Sequence, residues 1–318
     1  MKYVFSAFLL VLLASCSQKS KEENEIDAVD FPVTWQRFDQ DFVNTPENQF
    51  STLRAKYPFL LPQNSPDSVW FNKRNDSLFQ VVSKEVQSKF TDVQSMEKEV
   101  NEVLKRIHYY FPKQQPGKVI TLLSDVDVDN RVIYTDSLVL IGLDTYLGKD
   151  HRFYSVFPEY TLKDFEAERV ATDVAQNFAM QVVPVSKDRT FLGQMIYLGK
   201  VMEVTQRMNP SAIPAMILNY ENEKLEWAKA NEVEIWKFFM DSKFLYDTNP
   251  KLSMRFLQKA PFSKFYLEFD NESPGAVGIF IGWNIVKSYL KNNNVTLQEL
   301  LIKDTKEIFD NAKYKPKK

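Results

Sequence analysis

Apolar positions recur at helical spacing along most of the chain. Between Ser68 and Phe90 they fall at Val69, Phe71, Leu78, Phe79, Val82 and Val86, the three-and-four spacing that lays one apolar stripe on a helix. A cleaner stripe follows at Val93, Met96, Val100, Val103, Leu104, Ile107 and Phe111, with Glu97, Lys98 and Glu102 opposite and Pro112 as the stop. The period then changes. Lys118–Ser124, Arg131–Thr135 and Ser137–Gly142 read as short buried strands. Helix returns from Asp164 through Val170, Val174 and Phe178, and further helices are expected at Gln194–Thr205, Leu225–Phe244 and Ala276–Asn292. In the last, Ser273 reads as the cap and Pro274 as a first-turn residue, and Gly278 and Gly282 stand one turn apart. Helices, a small sheet, then more helices predict an α+β fold, mostly α, with helices around a small, mainly antiparallel sheet.

The first residues break this pattern. Lys2 precedes an apolar run from Val4 to Leu13, and Leu13-Ala14-Ser15-Cys16 closes it. A secretory apolar region is roughly 7–15 residues long and too short to span a bilayer, so residues 1–15 are expected to be a lipoprotein signal peptide. Cys16 is the single cysteine of the chain. It has no internal disulfide partner, and lipidation is the use that this position predicts. The stretch from Ser17 to Glu25 is polar and without aromatics, so residues 16–30 are expected to be a flexible tether. Ser17 gives no inner-membrane retention signal of the aspartate kind, and an outer-membrane anchor is the expectation. Residues 31–318 are expected to form a single globular domain, with a possible subdivision near 112–165.

Composition narrows the classes. A hydrophobic share of 44% with 25 Phe, 14 Tyr and 5 Trp predicts a well-packed body. A formal charge of −2 without large charged blocks gives no nucleic-acid footprint. Eight glycines argue against a Gly-rich phosphate loop. No cofactor motif is evident, and none is expected.

Candidate chemistry is sparse. His108 and His151 are far apart and neither has metal-binding spacing. His108 reads as a helix-end or core residue and His151 as a surface-loop residue. Asp125, Asp127, Asp129 and Asp136 occupy positions 1, 3, 5 and 12 of a calcium loop. Asn130 stands where that loop wants glycine and Asp136 where it wants Glu, so a hydrated hairpin tip is the preferred reading, with calcium left open. On the helix expected at 166–180, Arg169, Thr172, Asp173 and Gln176 share a polar face opposite Val170, Val174 and Phe178. Thr172-Asp173-Val174-Ala175-Gln176 has the spacing of HExxH without its ligands, so no metal is assigned. A plain solvent-facing stripe is the simpler reading of that face.

The C-terminal half carries a longer pattern: Ala260-Pro-Phe-Ser-Lys-Phe-Tyr-Leu-Glu-Phe-Asp-Asn-Glu-Ser-Pro-Gly275, then Gly278-Ile-Phe-Ile-Gly-Trp-Asn-Ile-Val286, and Tyr314-Lys-Pro-Lys317. With Asn130–Ser137 and Ile141–Gly148 it resembles the gliding-motility lipoprotein GldB family of Bacteroidetes. The resemblance implies a cell-envelope lipoprotein required for gliding, membrane-bound through its lipid, with other motility or secretion envelope proteins as partners. It also implies a zincin-like scaffold, a metallopeptidase fold that has lost its metal site, and would align Thr172–Gln176 with the lost motif. The polar face of that helix would then line an old cleft. Ala276 stands where relatives are expected to carry a basic residue. Two functions follow. One is a non-catalytic scaffold or adaptor of the motility apparatus. The other is an envelope hydrolase of peptide or glycan that uses acids such as Glu166, Glu168 and Asp173.

Overall fold

The structure is a computed structural model that describes residues 20–316. Cys16 and the signal segment 1–15 lie outside the described residues.

The N-terminal third is built of α1 (Lys21–Asp27), β1 (Thr34–Arg37), α2 (Phe38–Asn44), α3 (Phe50–Lys56), α4 (Asp67–Asn75), α5 (Ser77–Lys89) and α6 (Gln94–Tyr110). Then come β2 (Lys118–Leu122), β3 (Val132–Tyr134) and β4 (Val139–Gly142). The C-terminal half holds α7 (Val170–Val182), α8 (Phe191–Met208), α9 (Pro214–Leu218), α10 (Asn222–Ala230), α11 (Glu232–Asp241), α12 (Pro250–Phe256), α13 (Val277–Asn292), α14 (Leu297–Ile302) and α15 (Thr305–Ala312). The fold is mostly α with a small sheet, as the periodicity predicts. Among the described residues no helix is long and apolar enough to cross a membrane.

The sheet departs from expectation. Its order is β1-β2-β4-β3, with β1 parallel to β2, β2 parallel to β4, and only β3 antiparallel to β4. The expected mainly antiparallel sheet is therefore mixed. Pairing is decided by which strands meet, and β1 joins from more than eighty residues upstream. The segment between β2 and β3 is consequently a crossover, not the hairpin tip expected around Asp125–Asn130, because β4 lies between those strands. Parallel central strands are covered on both faces and read as near-continuous apolar runs. β2 fits: Val119 faces the main core, while Ile120 faces a smaller cluster of Phe42, Phe50, Leu53, Tyr57, Leu61 and Phe79.

Two helices form the axis of the C-terminal half. α13 packs chiefly on α8, where Gly199 and Gly282 let the backbones meet. A Cβ on Gly282 would lie 1.9 Å from the Met195 carbonyl oxygen, and one on Gly199 would lie 2.4 Å from that of Gly282. α13 starts at Val277, with Ala276 as a left-handed N-cap (φ 56°). Ser273 does not cap it. The hydroxyl that accepts from the Val277 N–H is that of Ser263 (3.1 Å), brought by a neighbouring segment, while Ser273 holds the same turn through the Ser263 N–H (3.1 Å).

The polar segment expected as a tether is helical from Lys21. Ile26 is fully buried, Arg106 grips both oxygens of Glu23, and Tyr109 donates to Glu25 at 2.7 Å. One apolar residue and the charged edge of α6 suffice to dock α1, which composition over a short window does not reveal.

Candidate functional site

α7 runs beside the edge strand β3 and is tied to it by polar side chains. Asn177 donates to the Val132 carbonyl (3.0 Å) and accepts from the Tyr134 N–H (3.2 Å), and Gln181 donates to the Tyr134 carbonyl (2.9 Å). The opposite, apolar face of α7 enters the core through Val170, Val174 and Phe178. This places the face of α7 that carries Asp173, Gln176, Asn177 and Met180 on the wall of a cavity of about 310 Å³. The other walls are the Val128–Val132 segment, the turn holding Tyr160–Asp164, the chain after α9, the Leu257–Pro261 loop and the entry to α13.

Of the residues singled out on α7, Arg169, Asp173 and Gln176 line the cavity. Thr172 does not. It is fully buried, accepts from Asn209 Nδ2 (3.1 Å) and contacts the Met216 sulfur (3.1 Å). The expected solvent-facing stripe is in fact split between a cavity wall and the core, because α9 covers the first turns of the helix.

Electrostatics inside the cavity are largely paired. Arg169, only 7% exposed, donates through Nη2 to Asp173 Oδ1 (2.9 Å) and through Nη1 to the Met216 carbonyl (3.1 Å). Tyr146 donates to the other oxygen of Asp173 (2.9 Å). Burial of Tyr146, reinforced by Asp173, pushes its phenol well above the ordinary range. Asp164 is buried, and burial alone would raise its pKa. Lys259 (2.8 Å), Arg169 and the Asn219 amide hold it below the ordinary carboxylate value instead. Burial lowers the ammonium pKa of Lys163.

Several cavity residues were invisible to local patterning: Arg131, Lys163, Asp164, Asn219, Lys224 and Lys259. Asn219 alone carries a signal. It follows α9 in the left-handed region (φ 56°), a position that Asn tolerates at a helix end. Ala276 also lines the cavity, at the position where a basic residue is expected in relatives.

The other candidates lie apart. His108 stacks on Phe31 (4.6 Å) with Nδ1 3.1 Å from the Gln114 carbonyl. His151 packs on Phe153, with Nε2 3.8 Å from Glu85. Glu166 accepts from the Lys149 N–H (3.3 Å) and Glu168 is exposed, so neither joins Asp173 in the cavity. Asp125 pairs with Lys73 (2.5 Å). Asp127 closes a local turn by accepting from Asn130 (2.9 Å) and the Asp129 N–H (3.2 Å). Among the described residues no group of three or more His, Cys, Asp or Glu side chains is placed to hold a metal ion.

Comparison with protein families gives a match to the family described as "Gliding motility protein GldB" over residues 19–316. Comparisons with characterised proteins and with solved structures returned no match.

Proposed function

The chain belongs to the gliding motility protein GldB family, and from that premise we propose that it is a lipid-anchored envelope protein acting as a non-catalytic scaffold or adaptor of the motility apparatus. The observation that carries the reading is the state of the cavity's acids. Asp173 is held by Arg169 and Tyr146, and Asp164 by Lys259 and Asn219. A general base needs a free lone pair and a pKa near the working pH. Both oxygens of each carboxylate already hold a fixed partner, and Asp164 is pushed away from that range. The site is built to present charges in fixed places, which suits recognition.

A zincin-like origin for the scaffold belongs to the same reading. The template Thr172–Gln176 lies on α7 beside an antiparallel edge strand. Its first ligand position is Thr172, which is packed in the core and hydrogen-bonded there, so these residues do not fit a zinc ion. With lipid on Cys16, five chain steps lead to the docked helix α1. At no more than about 3.6 Å per residue, the body is held within roughly 18 Å of its attachment point. An outer-membrane location accords with Ser17 after the cysteine.

Two measurements test this. Cys16→Ala should lose lipid labelling and leave the membrane fraction while remaining folded; retention of both label and membrane association overturns the anchor. Purified wild type should show no peptide or glycan hydrolysis that Asp173→Asn removes. A hydrolysis abolished by that change, with the fold intact, overturns the non-catalytic role.

A further inference from the structure

Two residues of the cavity lining carry unmet hydrogen-bonding atoms of opposite kind. Arg169 Nε, a donor, and Asn219 Oδ1, an acceptor, are buried without a partner. The Asn219 amide is oriented by its Nδ2, which donates to the Asp164 carboxylate, so Oδ1 is the atom left over. Both residues converge on one carbonyl: Arg169 Nη1 (3.1 Å) and the Asn219 N–H (3.2 Å) both donate to Met216 O. A buried unmet polar atom costs about 1–3 kcal/mol, and a ligand carrying an acceptor beside a donor would relieve both deficits after a small side-chain adjustment.

Charge around this pair points the same way. Asp173 and Asp164 are matched by Arg169 and Lys259. Three further cations of the lining make their hydrogen bonds to main-chain carbonyls: Arg131 to Val128 and Asp164, Lys163 to Tyr160, and Lys224 to Asn271 and Glu272. Against them stand only Asp129 and Glu221 at the wall. The entry to the sixteen-residue helix α13 forms one side, and a helix N-terminus carries partial positive charge. Beneath lie Met202, Ile217, Leu218, Leu257 and Ile279, an aliphatic floor.

Resting on the recognition role given above, we propose that the cavity takes the C-terminal end of a partner polypeptide. The terminal carboxylate meets Arg169, Lys163 and Lys224 in a lining with one net positive charge, a main-chain N–H of the peptide donates to Asn219 Oδ1, and an aliphatic last side chain covers the floor. A carboxylate and an amide N–H side by side are the defining polar groups of a peptide end. A volume of about 310 Å³ is at the small end of ligand pockets, roughly 300–1,000 Å³, and suits a chain end better than a folded surface.

The test uses the purified chain without its signal segment and an N-terminally fluorescein-labelled Gly-Ser-Asp-Leu peptide, followed by fluorescence anisotropy. The free acid should bind saturably, and the C-terminal amide at least tenfold more weakly. Lys163→Gln with Lys224→Gln should weaken the free acid at least tenfold while thermal unfolding stays unchanged. Equal binding of acid and amide, absence of saturable binding, or displacement by inorganic phosphate at the peptide's own concentration would each overturn the proposal. A peptide-binding failure leaves the motility role of the cavity standing, since that role is read separately from cell spreading.

Discussion

Gly282→Ala tests the packing that fixes one wall of the cavity. Helix propensity alone predicts a gain of about 1 kcal/mol, because Ala is the better helix former. The structure predicts a loss. The new Cβ would stand 1.9 Å from the Met195 carbonyl oxygen and 2.5 Å from its carbon. Both are backbone atoms of α8, so no side chain can swing aside. Restoring ordinary contact near 3.4 Å requires the helices to part by about 1.5 Å where Trp283, Ile281 and Met195 are buried. Overpacking costs about 1–3 kcal/mol and sometimes more, and a clash with backbone belongs at the upper end. Set against the propensity gain, the net loss should be about 2 kcal/mol, or roughly 3 °C in Tm for a chain of about 300 residues. Thermal unfolding by circular dichroism measures it. Gly117→Ala is the control, since its Cβ would meet nothing closer than 3.7 Å. A neutral or stabilised Gly282→Ala protein would refute the close crossing of α8 and α13.

Three further outcomes are expected. Ile26→Asp should release α1, so that limited proteolysis cuts within residues 20–27 while the remaining body keeps its Tm; unchanged protection would contradict the docking of that segment. Asp164 has a folded-state pKa below its unfolded value near 3.9, held there by Lys259 against the opposing effect of burial. Its stabilisation is therefore complete above about pH 4 and is lost as pH falls through the lower folded value. Lys259→Ala should move the acid-unfolding midpoint to higher pH, and an unmoved midpoint would show the pair to be idle. Lys200 is buried on α8, donates to the Leu301 and Lys303 carbonyls, and is pushed down by burial to about 8. Between pH 8 and its unfolded value near 10.4 the unfolded chain holds the extra proton. Stability from this group thus rises over that window, by at most about 1.4 kcal/mol per pH unit. Urea unfolding of Lys200→Met should lack that rise, and an identical pH profile in both proteins would contradict it.

How far the chain could be read depended on whether its signals were local. The stripe at Val93–Phe111 gives α6 almost to the residue, because one face meets the core and the other meets solvent. Ser68–Phe90 and Leu225–Phe244 each read as one helix but are two. Asp76 turns the chain and caps α5 by accepting from the Phe79 N–H (2.9 Å), and Asn231 breaks the second stretch. β1 has four residues, of which Thr34, Gln36 and Arg37 are polar, and it is a strand because β2 pairs with it from far along the chain. The parallel pairs were illegible for the same reason. At the cavity, Arg169, Asp173 and Gln176 were legible as one helix face. Lys224 and Lys259 come from loops and helices 40–90 residues away, and Ser263 caps α13 from outside its own sequence neighbourhood. No spacing rule joins such residues before the fold does.

The most direct test of the account is the spreading of a deletion strain complemented with Gln176→Trp. Gln176 is half-buried on the cavity wall, so an indole there occupies the space a partner would need without entering the core. Wild type should restore spreading, and the variant, folded and at normal level in the membrane fraction, should not. Full spreading by the variant would contradict the claim that gliding depends on what this cavity binds.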